Sequence, residues 1–126
     1  MKGKDTMSKT LYERLGGVEV ITKLVEDAAD AHLNNPTVKT RFENAKDLEY
    51  AKRMTVEFFC AGSGGPETYT GKDMLTAHKG MNISEQEYLA VIDDIVFALD
   101  KNNVGEEENK DVLAILYSLK GQIIRV

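Results

Sequence analysis

The sequence predicts an all-α fold, and three observations carry the prediction. Apolar residues recur at three- and four-residue intervals in each long patterned stretch, the spacing that gathers side chains on one face of a helix. Glycine pairs, a proline and polar capping residues punctuate those stretches where helices should start and stop. No segment of strand length alternates apolar with polar residues between hairpin turns, and no internal repeat or low-complexity tract competes.

Met1 to Thr10 is polar, carries lysines and lacks the apolar stretch of a secretory signal, so it reads as a flexible tail ahead of one domain over 11–126. The first patterned helix runs from Val18 to Leu33 and is entered through Gly16-Gly17, with Val18, Ile21, Val25, Ala28 and His32 on one face. It ends near Asn34-Asn35-Pro36, because proline cannot continue a helix and disfavours helical geometry in the residue before it. A short turn-rich piece carries Val38 and Phe42. Asp47 is placed to cap the next helix, which shows Leu48, Ala51, Thr55, Phe58 and Phe59 on one face before Gly62-Ser63-Gly64-Gly65-Pro66 breaks the pattern. A very short helical segment from about Thr70 to Lys79 presents Met74 and His78, with Gly80 to end it. Ser84 and Glu87 have the form of a capping box, and they open a helix bearing Tyr88, Val91, Ile92, Ile95, Val96 and Leu99. The last helix runs from about Glu107, with Val112, Leu116, Leu119 and Ile123 as its stripe, and the Glu106-Glu107-Glu108 cluster suits its positive N-terminal end.

Composition narrows the function classes. A chain of 126 residues can bury one core and still leave room for a pocket. Its net charge of −5 is spread along the chain, and no basic stripe with interleaved aromatics exists, which argues against nucleic acid as a partner. No run approaches the roughly 20 apolar residues of a membrane span, so no membrane partner is expected and a cytoplasmic protein is. Cys60, the one cysteine, lies in an apolar run and reads as a buried, inert thiol.

Function enters at the short segment. A helix of about two turns does not hold itself together, because nucleation is costly, so packing or a ligand must anchor it. Its inner face offers Met74, Ala77 and His78, and a neutral imidazole there is suited to coordinate a metal.

At these residues the chain resembles the group I truncated haemoglobins. Leu11-Tyr12-Glu13-Arg14-Leu15-Gly16-Gly17 is similar to that family's opening motif. Phe58-Phe59-Cys60-Ala61-Gly62-Ser63-Gly64-Gly65-Pro66, followed by Tyr69-Thr70-Gly71 and Met74-Leu75-Thr76-Ala77-His78, resembles its helix end, glycine loop and proximal histidine. The resemblance spans Leu11 to Leu119 and implies a two-over-two helical sandwich around haem b, iron protoporphyrin IX. It implies that His78 binds the iron while its second ring nitrogen donates to a carbonyl one turn earlier, that of Met74. It also implies Phe42, Phe58 and Phe59 as flat walls, and Ile83, Val91 and Ile95 behind the proximal side, with Met81 beside the cofactor. Arg53, Lys72 and Tyr69 are the expected partners of the haem propionates.

One departure from the family stands out. Ala29 occupies the position of its usual tyrosine on the second helix, and Ala51, Met54 and Thr55 occupy the pocket-lining positions of the third. A neutral hydrogen bond to a bound gas is worth roughly 0.5–1.5 kcal/mol, up to about tenfold in affinity, so an apolar pocket implies fast oxygen release. The Thr55 hydroxyl, or Tyr50 swinging inward from the helix edge, would reverse that expectation. His32, one turn beyond Ala29, reads as a helix-end histidine lining a cavity or facing solvent. Its alternative is a sixth iron ligand, a role open to Met54 as well. The expected function is reversible binding of dioxygen, carbon monoxide and nitric oxide by a monomer. Nitric oxide dioxygenation, which needs a reductase as partner, and a six-coordinate haem sensor are the alternatives within the family. A haem-free helical interaction module is the alternative from another class.

Overall fold

Side-chain caps at Thr10, Asp47, Asp73 and Ser84 start four of the helices. In the computed structural model, which describes residues 9–126, the described residues form eight helices. They are α1 (Leu11–Leu15), α2 (Gly17–Leu33), α3 (Lys39–Glu43), α4 (Leu48–Gly62), α5 (Met74–His78), α6 (Glu85–Lys101), α7 (Glu106–Ser118) and α8 (Lys120–Ile123). The only strand-like pairing among the described residues is an isolated bridge between Ile83 and Ile124. The tail expected over 1–10 falls mostly on residues outside the described ones, and Thr10 is the N-cap of α1.

The opening motif is itself a helix, too short for periodicity to reveal. Thr10 Oγ1 accepts from the Glu13 N–H at 3.1 Å, and the Glu13 carboxylate accepts from the Thr10 N–H at 2.9 Å, a complete capping box. Gly16 then turns the chain with φ +112°, a left-handed conformation in which a Cβ would meet Val20 Cγ2 at 2.5 Å. The Tyr12 hydroxyl accepts from the Val18 N–H at 3.2 Å, which caps α2, and donates to Glu67 at 3.0 Å. Its ring also presses on Gly65, where a Cβ would lie 2.5 Å from the ring carbon. The two glycine pairs of the sequence are therefore two sides of one contact.

Helix α2 is the central element and packs on both α6 and α4. Its buried face is Ile21, Val25, Ala28, Ala29 and His32, while Val18, expected on that face, is exposed in the first turn. Ile21, Val25, Cys60, Leu99, Val112 and Leu116 form the core, each large aliphatic contributing about 1.5–3 kcal/mol on burial. Asp47 caps α4 by accepting from the Tyr50 N–H at 3.0 Å.

Helix α5 begins at Met74 rather than near Thr70, for a specific reason. The Thr70 N–H and hydroxyl both donate to Glu57, at 2.9 and 2.8 Å, which holds the preceding loop against α4. Asp73 then caps the helix, accepting from the Thr76 N–H at 3.3 Å. The expected capping box at Ser84 and Glu87 opens α6. The terminal stripe divides at Leu119 into α7 and the single turn α8, which packs against α5. Beyond α8 the Arg125 N–H donates to the Ile83 carbonyl at 2.9 Å and the Gly80 N–H donates to Val126 at 3.1 Å. The short helix that cannot stabilise itself is thus held by the C-terminal residues. No helix among the described residues is long and apolar enough to cross a membrane.

Candidate functional site

Helices α2, α4, α5 and α6 enclose a cavity of about 570 Å³, within the roughly 300–1,000 Å³ range of small-molecule sites. The structure brings all but one of the expected cofactor-contacting residues to its wall. Phe42 comes from α3, Tyr50, Met54, Thr55, Phe58 and Phe59 from α4, and Tyr69 and Lys72 from the following loop. Met74, Ala77 and His78 come from α5, Met81 and Ile83 from the next loop, and Val91 and Ile95 from α6. Arg53 lies outside the wall, with its guanidinium over the Tyr50 ring at 5.3 Å from the centroid. The Tyr69 hydroxyl donates to the Lys72 carbonyl, so its proton points along the loop.

His78 is half-buried at the end of α5, and its Nδ1–H donates to the Met74 carbonyl at 2.8 Å. That bond joins residues one helical turn apart, and it makes Nε2 the nitrogen that carries the lone pair. No group of three or more His, Cys, Asp or Glu side chains among the described residues could hold a bare metal ion. A single imidazole on an apolar wall suits an iron whose other positions a macrocycle already fills.

The α2 and α4 sides of the cavity carry few free donors. Ala28 and Ala29 are buried and small. The Thr55 hydroxyl donates back to the Ala51 carbonyl at 2.8 Å. Met54 sulfur lies 3.9 Å from the Thr70 hydroxyl, whose proton goes to Glu57. Tyr50 lines the cavity edge while staying half exposed.

His32 lines the cavity, one of the two places the sequence reading allowed it, but sequence reasoning missed its partner, which lies behind the wall. His32 and Asp94, only 7% and 9% exposed, meet across α2 and α6, with Nδ1 2.7 Å from Asp94 Oδ2. The Asn35 amide donates to both Asp94 oxygens at 3.2 Å. The His32 ring stacks on Phe42, with centroids 4.5 Å apart. Burial pushes the imidazole below its ordinary value, and the pull of Asp94 in the other direction only partly offsets this. A signal was present, since a carboxylate at 94 sits within the apolar stripe that Val91, Ile95 and Ala98 define.

A second pair closes the same wall. Arg41 donates to Glu87 through Nε at 2.6 Å and Nη2 at 3.0 Å, while Nη1 reaches the Met81 carbonyl at 2.9 Å. The guanidinium, helped by the Ser84 N–H, brings the Glu87 carboxyl down to about 2. In the core beside the cavity, burial pushes the Cys60 thiol up to about 11, which makes it a poor nucleophile.

The chain is similar to known proteins. A family model for bacterial-like globins matches residues 10–125. A Group 1 truncated hemoglobin of Tetrahymena pyriformis is 32% identical over 96 residues, covering 76% of this chain and 78% of that protein. One from Mycolicibacterium paratuberculosis is 29% identical over 119 residues, covering 90% of this chain and 83% of that one. The crystal structure of the truncated hemoglobin from Tetrahymena pyriformis in its Fe(III) form matches with a TM-score of 0.89 at 26% identity, covering 94% of this chain and 100% of that one.

Proposed function

Because the chain belongs to the bacterial-like globin family and is a group I truncated haemoglobin, we propose that its haem b is held by His78 beneath an apolar gas-binding side. Haem b supplies, when bound, an iron with one position open to a diatomic gas. The residues present fit that group. The cavity wall is largely aromatic and aliphatic, Phe58 and Phe59 offer flat surfaces, and Lys72 supplies a cation for a propionate.

The observation that carries the reading is the His78 Nδ1–H bond to Met74. It fixes the tautomer, aims Nε2 away from the helix and raises the basicity of the ligating nitrogen. The hold of α8 and the C-terminal residues on the loop after His78 keeps that imidazole in place. On the opposite side, Ala29 and Ala51 offer no donor, and the Thr55 proton is committed to its own helix. This supports gas binding with fast release rather than tight oxygen retention. All of the cavity's lining residues come from one chain, and a monomer is the working unit we propose.

Ferric, ferrous and carbonmonoxy absorption spectra, with the proximal iron–nitrogen stretch from resonance Raman, test the assignment. His78→Ala loses that stretch and most of its haem affinity, whereas His32→Ala retains both. Retention of an unchanged stretch in His78→Ala would refute His78 as the ligand.

A further inference from the structure

We propose that Ile124, Arg125 and Val126 form a strap that fixes the orientation of His78 from outside the cavity, with Arg125 as its positioning residue. The inference rests on the reading of His78 as the haem ligand and deepens it by naming what sets the angle of that ligand.

Helix α5 ends at His78, and so short a helix has too few hydrogen bonds of its own to orient a side chain at its last position. The residues that follow supply the rest. The Met81 N–H donates to the His78 carbonyl at 3.0 Å, which folds the loop back on the residue it has to hold. That loop is pinned from two sides. From α3, Arg41 Nη1 donates to the Met81 carbonyl at 2.9 Å. From the segment after α8, the Arg125 N–H donates to the Ile83 carbonyl at 2.9 Å, and the Gly80 N–H donates to Val126 at 3.1 Å. The Arg125 guanidinium adds a bond to Asn82 Oδ1 at 3.2 Å. Ile123, buried in the cavity wall, anchors the segment.

Backbone conformation separates a positioning strap from ordinary packing. Only three non-glycine residues among those described have positive φ, and two of them, Asn82 at 51° and Arg125 at 57°, meet across the strap. Asparagine tolerates this left-handed region, whereas arginine adopts it at a cost. Such strain persists only where surrounding contacts over-determine it, and it gathers where geometry matters to function. Burial does not offset the cost, because Arg125 is exposed and lines no part of the cavity. The turn at Arg125 accompanies an N–H aimed at Ile83 and a next residue that reaches Gly80, two positions from His78.

A substitution series at residue 125 tests the strap, read by resonance Raman of the ferrous haem-loaded protein and by amide hydrogen exchange. Glycine, valine and proline all lose the side-chain bond to Asn82, so only the backbone differs among them. Arg125→Gly keeps the N–H and takes positive φ without strain, and its proximal iron–nitrogen stretch should match the wild type in position and width. Arg125→Val keeps the N–H but disfavours φ +57°, and the band should broaden as His78 samples a spread of angles. Arg125→Pro removes the N–H and forbids that φ, while Ile124, with ψ 125°, already has the geometry that precedes proline. Its band should be the broadest, and exchange of the Gly80 amide should speed up about tenfold, the worth of one hydrogen bond. Should Arg125→Pro fail to retain haem, the order of the glycine and valine variants decides the question. Gly16→Ala, which loosens a distant turn, should leave the band unchanged. Wild-type width in Arg125→Val, equal broadening in Arg125→Gly, or the same broadening in Gly16→Ala would overturn the strap while leaving His78 as the ligand. An unchanged stretch in His78→Ala would overturn both.

Discussion

Glu87→Gln removes one charge and little else, which makes it the sharpest probe of how the cavity wall is held. Glutamine at this position still reaches back to the Ser84 N–H, so the capping box survives. What is lost is the two-point pairing with Arg41, which ties α3 to the start of α6 and to the loop after His78. Lowering a carboxyl from 4.5 to about 2 corresponds to about 3 kcal/mol of stability at neutral pH. The Arg41 side chain is 32% exposed, and solvent screening brings the expected loss to about 1–2 kcal/mol. Because the folded value is depressed, the stabilisation is complete above the ordinary value of 4.5 and is lost as pH falls toward about 2. Urea unfolding of the haem-loaded wild type and variant at a series of pH values measures the difference. The gap between them should shrink to less than about half its neutral value by about pH 3. A gap as wide there as at pH 7 would refute the assignment of this stability to the Arg41–Glu87 charge pair.

Thr55→Val should leave the oxygen dissociation rate within about twofold, since its hydroxyl is turned to Ala51. Tyr50→Phe should do the same, and a rise of about tenfold in either variant, the size of a lost hydrogen bond, would reveal a donor to the gas. Cys60 should resist iodoacetamide at pH 8 in the folded protein and react promptly in urea, because its thiol is buried and raised to about 11; rapid labelling of the native state would contradict the burial. Gly16→Ala should lower stability by more than about 1 kcal/mol in thermal or urea unfolding, since φ is +112° and the new Cβ meets Val20; an unchanged midpoint would count against that close contact.

Much of the fold was legible because its signals are local. Asp47, and Ser84 with Glu87, satisfy helix N-terminal donors within one turn, so a short stretch of sequence specifies each start. Pro36 and the glycine loops mark where helices cannot continue. Other boundaries were hidden because distant groups set them. The start of α5 depends on Glu57 holding Thr70, and the exposure of Val18 depends on what α2 packs against. The division of the last stripe at Leu119 follows from the docking of α8 on α5.

The candidate site divides in the same way. A short helix bearing His78, with Met74 one turn earlier, is a pattern that residues in sequence determine alone, because a four-residue hydrogen bond needs only helical geometry. The all-α class and the apolar character of the cavity wall likewise follow from residue spacing and identity. Which polar groups pair at the cavity wall and behind it was decided only by tertiary structure. His32 and Asp94 lie 62 positions apart and Arg41 and Glu87 lie 46 apart, and no local rule pairs them. Only the packing of α2 against α6, with α3 seated on α2, brings those groups within hydrogen-bonding reach and removes the water that would otherwise mute them.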